Sequence, residues 1–172
     1  MTASIDPADV RNHLGLEPHA TCGFVKLTYV SEHAIAPGGL SAPFDAGRPA
    51  GSALYFQVTE QAPVHLHCIR NDQLYHRYLG APLEVLLLLP DGTHRVETMG
   101  DDLAAGQHLQ LFLPGGTFHT ARVAPGTWFL GASTEWPGVD PSDVIIGDAP
   151  DLALRFPAAA SLIEAFATGG AV

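Results

Sequence analysis

Three of the chain's nine histidines fall within Pro63–Gly80, which reads PVHLHCIRNDQLYHRYLG. His65 and His67 are two residues apart, so on a regular strand both imidazoles project from the same face. Two imidazoles side by side within a sheet are either part of a metal site or a polar pair that binds or deprotonates a ligand. The stretch reads as two antiparallel strands joined by the loop Arg70-Asn71-Asp72. A second segment, Pro114-x-Gly116-x-x-His119, carries another histidine just after a turn. Any chemistry of this chain is expected where those two segments meet.

The elements that must position these residues are mostly strands. Phe24–Val30, Ser52–Thr59, Leu83–Leu89, Thr93–Met99, Gln107–Leu113, Thr117–Val123 and Thr127–Thr134 are rich in β-branched, aromatic or alternating apolar residues. Turn signals such as Pro90-Asp91-Gly92, Pro114-Gly115-Gly116 and Pro125-Gly126 separate them. The stretch Leu83 to Leu89, LEVLLLL, has a continuous apolar run and predicts a strand buried on both faces. A short helix is expected over 6–14, with Asp6 as N-cap, Pro7 in the first turn and Gly15 after the last. An amphipathic helix is expected over 158–167, with Leu162, Ile163 and Phe166 on one side. Residues 34–51 form a long loop rich in glycine and proline, read as either a surface excursion or a lid. Short strands flanked by a helix at each end indicate an all-β sandwich or barrel, and residues 1–172 read as a single domain.

Composition narrows the partners. Eight basic against eighteen acidic residues give a net charge of -10, which disfavours nucleic acid and anionic membrane surfaces. No apolar run is long enough to span a bilayer. Neither a basic nor an apolar stretch follows Met1-Thr2-Ala3-Ser4, so no leader is expected. The two cysteines, Cys22 and Cys68, are too few for a disulfide framework, so a cytoplasmic chain with reduced thiols is expected.

The two histidine segments resemble the paired motifs of the cupin superfamily, a double-stranded β-helix jelly roll. In many cupins the first motif supplies two histidines and a glutamate, and the second a third histidine, all facing a metal. The resemblance puts His65, His67 and His119 in the histidine positions and Gln73 in the glutamate position. Asp72 competes for that last slot, because the loop after His67 is about one residue longer. A narrower resemblance, from about Leu14 to Phe156, is to the small cupins grouped as cupin-5, a group of unknown function. It is carried by Thr28-Tyr29-x-Ser31, Ala53-Leu54-Tyr55-Phe56, His76-x-Tyr78-x-Gly80, Pro82-Leu83-Glu84, Asp91-Gly92, Pro114-x-Gly116 and Ala121-Arg122.

The departures from that group lie at pocket positions. His65 and His119 are histidines where the group has other residues, and Gln73 replaces a glutamate. Cys68 replaces an arginine and Thr21 a glutamate. Read this way, His65, His67, His119 and Gln73 form the catalytic and metal-binding set for a divalent Fe, Zn, Ni, Mn or Cu ion. Neutral imidazoles suit each of these, and three leave a position open for substrate. Tyr55, Gln57, Tyr75, Phe112 and Phe129 are candidate pocket walls. Cys68 should face away from the pocket, and so should His76 and Tyr78 if Gln73 faces in. His13, His19, His33 and His94 are given no role. Three readings compete: a metal-dependent cupin enzyme acting on a small oxygen-rich molecule (isomerase or cyclase, lyase or dioxygenase), a metal-free epimerase or isomerase with a histidine base, and a non-catalytic ligand-binding cupin. The resemblance also implies a homodimer.

Overall fold

Alternating strand patterns fold into two facing sheets in the computed structural model, which describes residues 5–168. In chain order the chain forms α1 (Pro7–Leu14), β1 (Glu17–Pro18), β2 (Phe24–Val30), β3 (Ala34–Ile35), β4 (Arg48–Pro49), β5 (Ser52–Thr59) and β6 (Val64–Ile69). Then come β7 (Asp72–Gly80), β8 (Leu83–Leu88), β9 (His94–Met99), β10 (Gln110–Leu113), β11 (Phe118–Arg122), β12 (Trp128–Trp136) and β13 (Val144–Ile146), followed by α2 (Ala149–Arg155) and α3 (Ala160–Ala167). One sheet runs β1-β2-β5-β12-β7-β10 and the other β13-β6-β11-β8-β9. The architecture is a jelly roll with short terminal helices.

The expected hairpin across Arg70-Asn71-Asp72 does not form. β6 and β7 belong to opposite sheets, and the chain crosses from one to the other between them. Asn71 fixes the crossing by donating its amide to the carbonyl of Pro137 at 2.7 Å. Gly115 packs onto the Arg70 carbonyl so closely that a side chain there would overlap it.

The core has three layers. Between the sheets lie Phe56, Val58, Val64, Leu83, Val85, Leu87, Leu111, Leu113 and Phe129. Leu86 and Leu88 point the other way, under Leu152, Phe156, Ile163 and Phe166 of the C-terminal segment. The Val85–Leu88 run is therefore buried on both faces, as its continuous apolarity implies, while Glu84 is exposed and pairs with Arg122. On the outside of the six-stranded sheet, Val10 and Leu14 of α1 pack with Leu16 against Leu130 and Tyr55. The α1 caps are as expected: Asp6 accepts from the Ala8 amide and Gly15 adopts the left-handed conformation. α2, capped by Asp148, is an element the sequence reading leaves unassigned.

The 34–51 segment is strapped down. β3 pairs with β4, the Gly138 amide donates to the Pro49 carbonyl at 2.8 Å, and Arg48 pairs with the fully buried Asp143 at 3.1 Å.

Candidate functional site

His67 and His119 are direct cross-strand partners on β6 and β11. Their rings lie 4.2 Å apart, and neither side chain is exposed. His67 Nδ1 lies 2.7 Å from the carbonyl of His65, and His119 Nδ1 lies 3.3 Å from that of Thr117. A carbonyl only accepts, so in each ring Nδ1 carries the proton and Nε2 is left as an acceptor. Tyr75 reaches across from β7 and donates its hydroxyl to His119 Nε2 at 2.9 Å. Burial holds both imidazoles in the neutral form: His67 is lowered to about 4, and His119, also beside His67, well below the usual histidine range. Burial likewise raises the Tyr75 phenol well above its ordinary value.

His67 Nε2 has a thiol as its neighbour, Cys22 Sγ at 3.9 Å. From there a polar path leads outward. Cys22 Sγ lies 3.5 Å from Thr21 Oγ1, which lies 3.2 Å from Nδ1 of the exposed His19. Cys22 is held beside the pocket because Gly23 takes a positive φ of 51° and lies against the Gln57 carbonyl, a place only glycine fits. Desolvation raises the Cys22 thiol to about 11, so it is a protonated thiol at neutral pH.

The same-face expectation for His65 and His67 is corrected by a β-bulge. Two steps along β11, from His119 to Ala121, match three along β6, from His67 to Val64. The extra residue breaks the period of two, so Val64 and His67 face inward while His65 is exposed. The three-histidine set is thus not assembled: His67 and His119 meet, and His65 does not join them. Among the described residues no group of three His, Cys, Asp or Glu side chains is arranged to hold a metal ion. The donors present do not fit the metal centre that the resemblance implies.

The other candidates divide by face. Gln73 points inward and donates to Ser133 Oγ at 3.3 Å. Asp72, its competitor, is exposed and accepts from the Gly115 amide at 2.7 Å, bracing the turn before β11. Tyr75 and Phe129 lie inside, packed against Phe56. Three expected pocket walls are elsewhere. Gln57 is buried but bonded to Arg11 and to the Pro7 carbonyl, Tyr55 packs in the α1 layer, and Phe112 is about half exposed. On β5 the inward parity belongs to Phe56 and Val58. Cys68 is buried, with Arg70 and Arg155 as its charged neighbours, and His76 bonds Thr134 and Gln110; both face away from the pocket as expected.

Several site residues were not singled out by the sequence. Glu135 is 1% exposed and sits directly opposite Gln73 in the register of β12 and β7. Its carboxyl accepts from Ser52 Oγ at 2.7 Å and is also hydrogen-bonded by Ser133. Burial raises its pKa, and its charge in turn acts on Cys22 and Tyr75. Thr117 Oγ1 is buried with no hydrogen-bond partner. The signal was present in strand parity: Ser133 and Glu135 alternate with outward residues in a strand otherwise apolar on its inner face. Open cavities of about 650 and 680 Å³ lie beside α1 and beside the end of α3. Neither is lined by the histidines, whereas buried polar groups with shifted pKa values converge around His67 and His119.

The comparisons agree with this architecture. A hypothetical protein from Leishmania major superposes with a TM-score of 0.85 at 23% identity, over 95% of this chain and 99% of that one. A protein from Shewanella oneidensis gives 0.83 at 23% identity, over 95% and 98%. An oxalate decarboxylase from Lactobacillus farciminis gives 0.51 at 12% identity, over 88% of this chain and 41% of that one, a likeness of fold alone. No curated protein matches the chain. A family model described as cupin superfamily (DUF985) matches residues 8–146, and the chain belongs to that family.

Proposed function

We propose that this chain is a single-domain cupin that engages a small oxygen-bearing organic molecule in its interior and moves a proton on it without a metal centre. The observation that carries this reading is the joined pair of neutral imidazoles, with Tyr75 on His119 at 2.9 Å and His67 Nε2 facing only a thiol at 3.9 Å. Backbone carbonyls fix both tautomers, so the His67 Nε2 lone pair has a defined direction and is met only by the weak Cys22 thiol donor. Burial lowers the pKa of His67 to about 4, so it is a weakened base whose role is to accept a proton from a carbon already activated by an adjacent carbonyl. The Thr117 hydroxyl, which has no partner among the described residues, is the donor left to orient a carbonyl oxygen. The reaction class that follows is isomerisation or epimerisation.

The test is hydrogen–deuterium exchange in D2O, followed by NMR, on a panel of small hydroxyketones and dicarbonyls, with elemental analysis of the tag-free protein alongside. The reading predicts exchange at the carbon next to the carbonyl, loss of that exchange in His67→Gln, and metal far below one ion per chain. One metal ion per chain that disappears in both His67→Gln and His119→Gln would overturn it in favour of the metal-dependent enzyme. Ligand binding with no exchange would favour the non-catalytic reading.

The reading includes a homodimer in the cytoplasm. β2 exposes Leu27, Tyr29 and Val30 near a sheet edge covered only by the two-residue β1, which is surface that a second copy would cover. Light scattering on the purified chain tests the dimer, and a monomer at all concentrations would remove it.

A further inference from the structure

A cavity of about 650 Å³ opens beside α1, and its volume is that of a small-molecule site. Its walls come from three places. The cap and body of α1 supply Asp6 and Arg11, and the turn after β5 supplies Glu60. The start of β2 and the start of β12 supply the rings of Phe24 and Trp128. The Gly126 amide donates to Glu60 Oε2 at 2.9 Å, which ties the turn before β12 to the turn after β5 and fixes that side of the cavity.

Arg11 is held in place at this cavity without an ion pair. Its guanidinium stacks over the Phe24 ring at 4.6 Å, and Nη1 donates to Gln57 Oε1 at 3.0 Å. Gln57 is fully buried, and its amide donates to the Pro7 carbonyl at 3.0 Å, so one glutamine holds both the helix start and the arginine. Arg48, Arg77, Arg95 and Arg122 each pair with a carboxylate, whereas Arg11 pairs with none among the described residues. Asp6 and Glu60 line the same cavity and do not reach it, so a cation and two carboxylates stand unjoined around one open space. Asp6 Oδ1 accepts from the Ala8 amide and Glu60 Oε2 from that of Gly126. The second oxygen of each makes no hydrogen bond among the described residues.

We propose that this cavity binds a small zwitterion, an ammonium and a carboxylate carried on an apolar or aromatic body, as in a free α-amino acid. The ligand carboxylate takes the remaining N–H donors of Arg11, a planar fork already oriented by Gln57 and Phe24. The ammonium takes the open oxygens of Asp6 and Glu60, and the body lies against Trp128. A plain carboxylate would meet Arg11 but also two carboxylates, in a chain of net charge -10, and a plain amine would meet the guanidinium. The site is separate from the buried imidazole pair and does not depend on its chemistry.

Phenylalanine, 3-phenylpropionate and 2-phenylethylamine form a matched set, titrated into the isotope-labelled full chain at neutral pH and followed by NMR. Trp128 and Trp136 are the chain's two tryptophans and lie at opposite ends of β12, so their indole N–H signals report the cavity and a control position. Phenylalanine is expected to move the Trp128 signal to saturation and leave that of Trp136 in place. The other two compounds are expected to bind about tenfold more weakly. Arg11→Lys, which keeps the charge and loses the fork, is expected to weaken phenylalanine by a similar factor. Glu60→Gln, at an exposed position and still able to accept from Gly126, is expected to weaken phenylalanine and bring 3-phenylpropionate level with it. Either singly charged compound binding the wild type as tightly as phenylalanine would overturn the zwitterion assignment. A Trp128 signal unmoved by all three compounds, or moved equally in Arg11→Lys, would overturn the site itself.

Discussion

Tyr75 and His119 belong to opposite sheets, and the 2.9 Å bond from the phenol to Nε2 is a polar tie across the inside of the jelly roll. It determines which imidazole nitrogen is spoken for. His119 is saturated by Tyr75 and the Thr117 carbonyl, so His67 keeps the weaker-partnered acceptor, facing only the Cys22 thiol.

Removing that tie should cost stability beyond the loss of one hydroxyl. Tyr75→Phe leaves His119 Nε2 buried without a donor, a penalty of about 1–3 kcal/mol. Urea unfolding should show a lower midpoint with an unchanged slope. A midpoint equal to that of the wild type would mean that water or another group satisfies His119.

The pH dependence has a definite sign. His67 has a folded pKa of about 4 against an ordinary 6.5, so between those values the unfolded chain binds the proton and the folded chain does not. Stability contributed by His67 is present above pH 6.5 and is lost as pH falls toward 4, by up to about 3 kcal/mol. His119 acts in the same direction. Glu135, whose pKa is raised, acts in the opposite direction and loses its contribution as pH rises through its folded value. Unfolding curves of wild type and His67→Gln from pH 4 to 8 should therefore converge at the acid end. Parallel curves would contradict a buried neutral His67.

His65 and His67 should differ sharply when replaced, despite their spacing. His65→Ala, at an exposed position beyond the bulge, should change stability by less than about 0.5 kcal/mol. His67→Ala opens a gap beside His119 and should cost about 2–4 kcal/mol. Equal effects in thermal melts would mean that the bulge is absent in solution.

The strap over 34–51 hangs on Arg48. With Asp143 fully buried, Arg48→Ala leaves its carboxylate without a cation, so a melting temperature lower by several degrees is expected. Limited proteolysis should then cut within 34–51 faster than in the wild type. Uncut loops and an unchanged melting temperature would show that the β3–β4 pairing alone holds the segment.

Local chemistry along the chain determined the strands, their turns, the two-faced burial of Val85–Leu88, the capped α1 and the α3 helix, because each is encoded by neighbours a few residues apart. Strand parity placed Gln73 and Tyr75 inside and His76 and Cys68 outside. Residues whose position depends on partners far along the chain were decided only by the tertiary structure. The bulge that turns His65 away from His67 arises in pairing β6 with β11, and nothing within 63–69 marks it. The inward parity on β5 belongs to Phe56 because of how that strand packs, so Tyr55 and Gln57 went to the α1 side. Cys22, Thr117 and Glu135 are ordinary residues in sequence. They become a site because two sheets close over them and remove the water that would otherwise make them unremarkable.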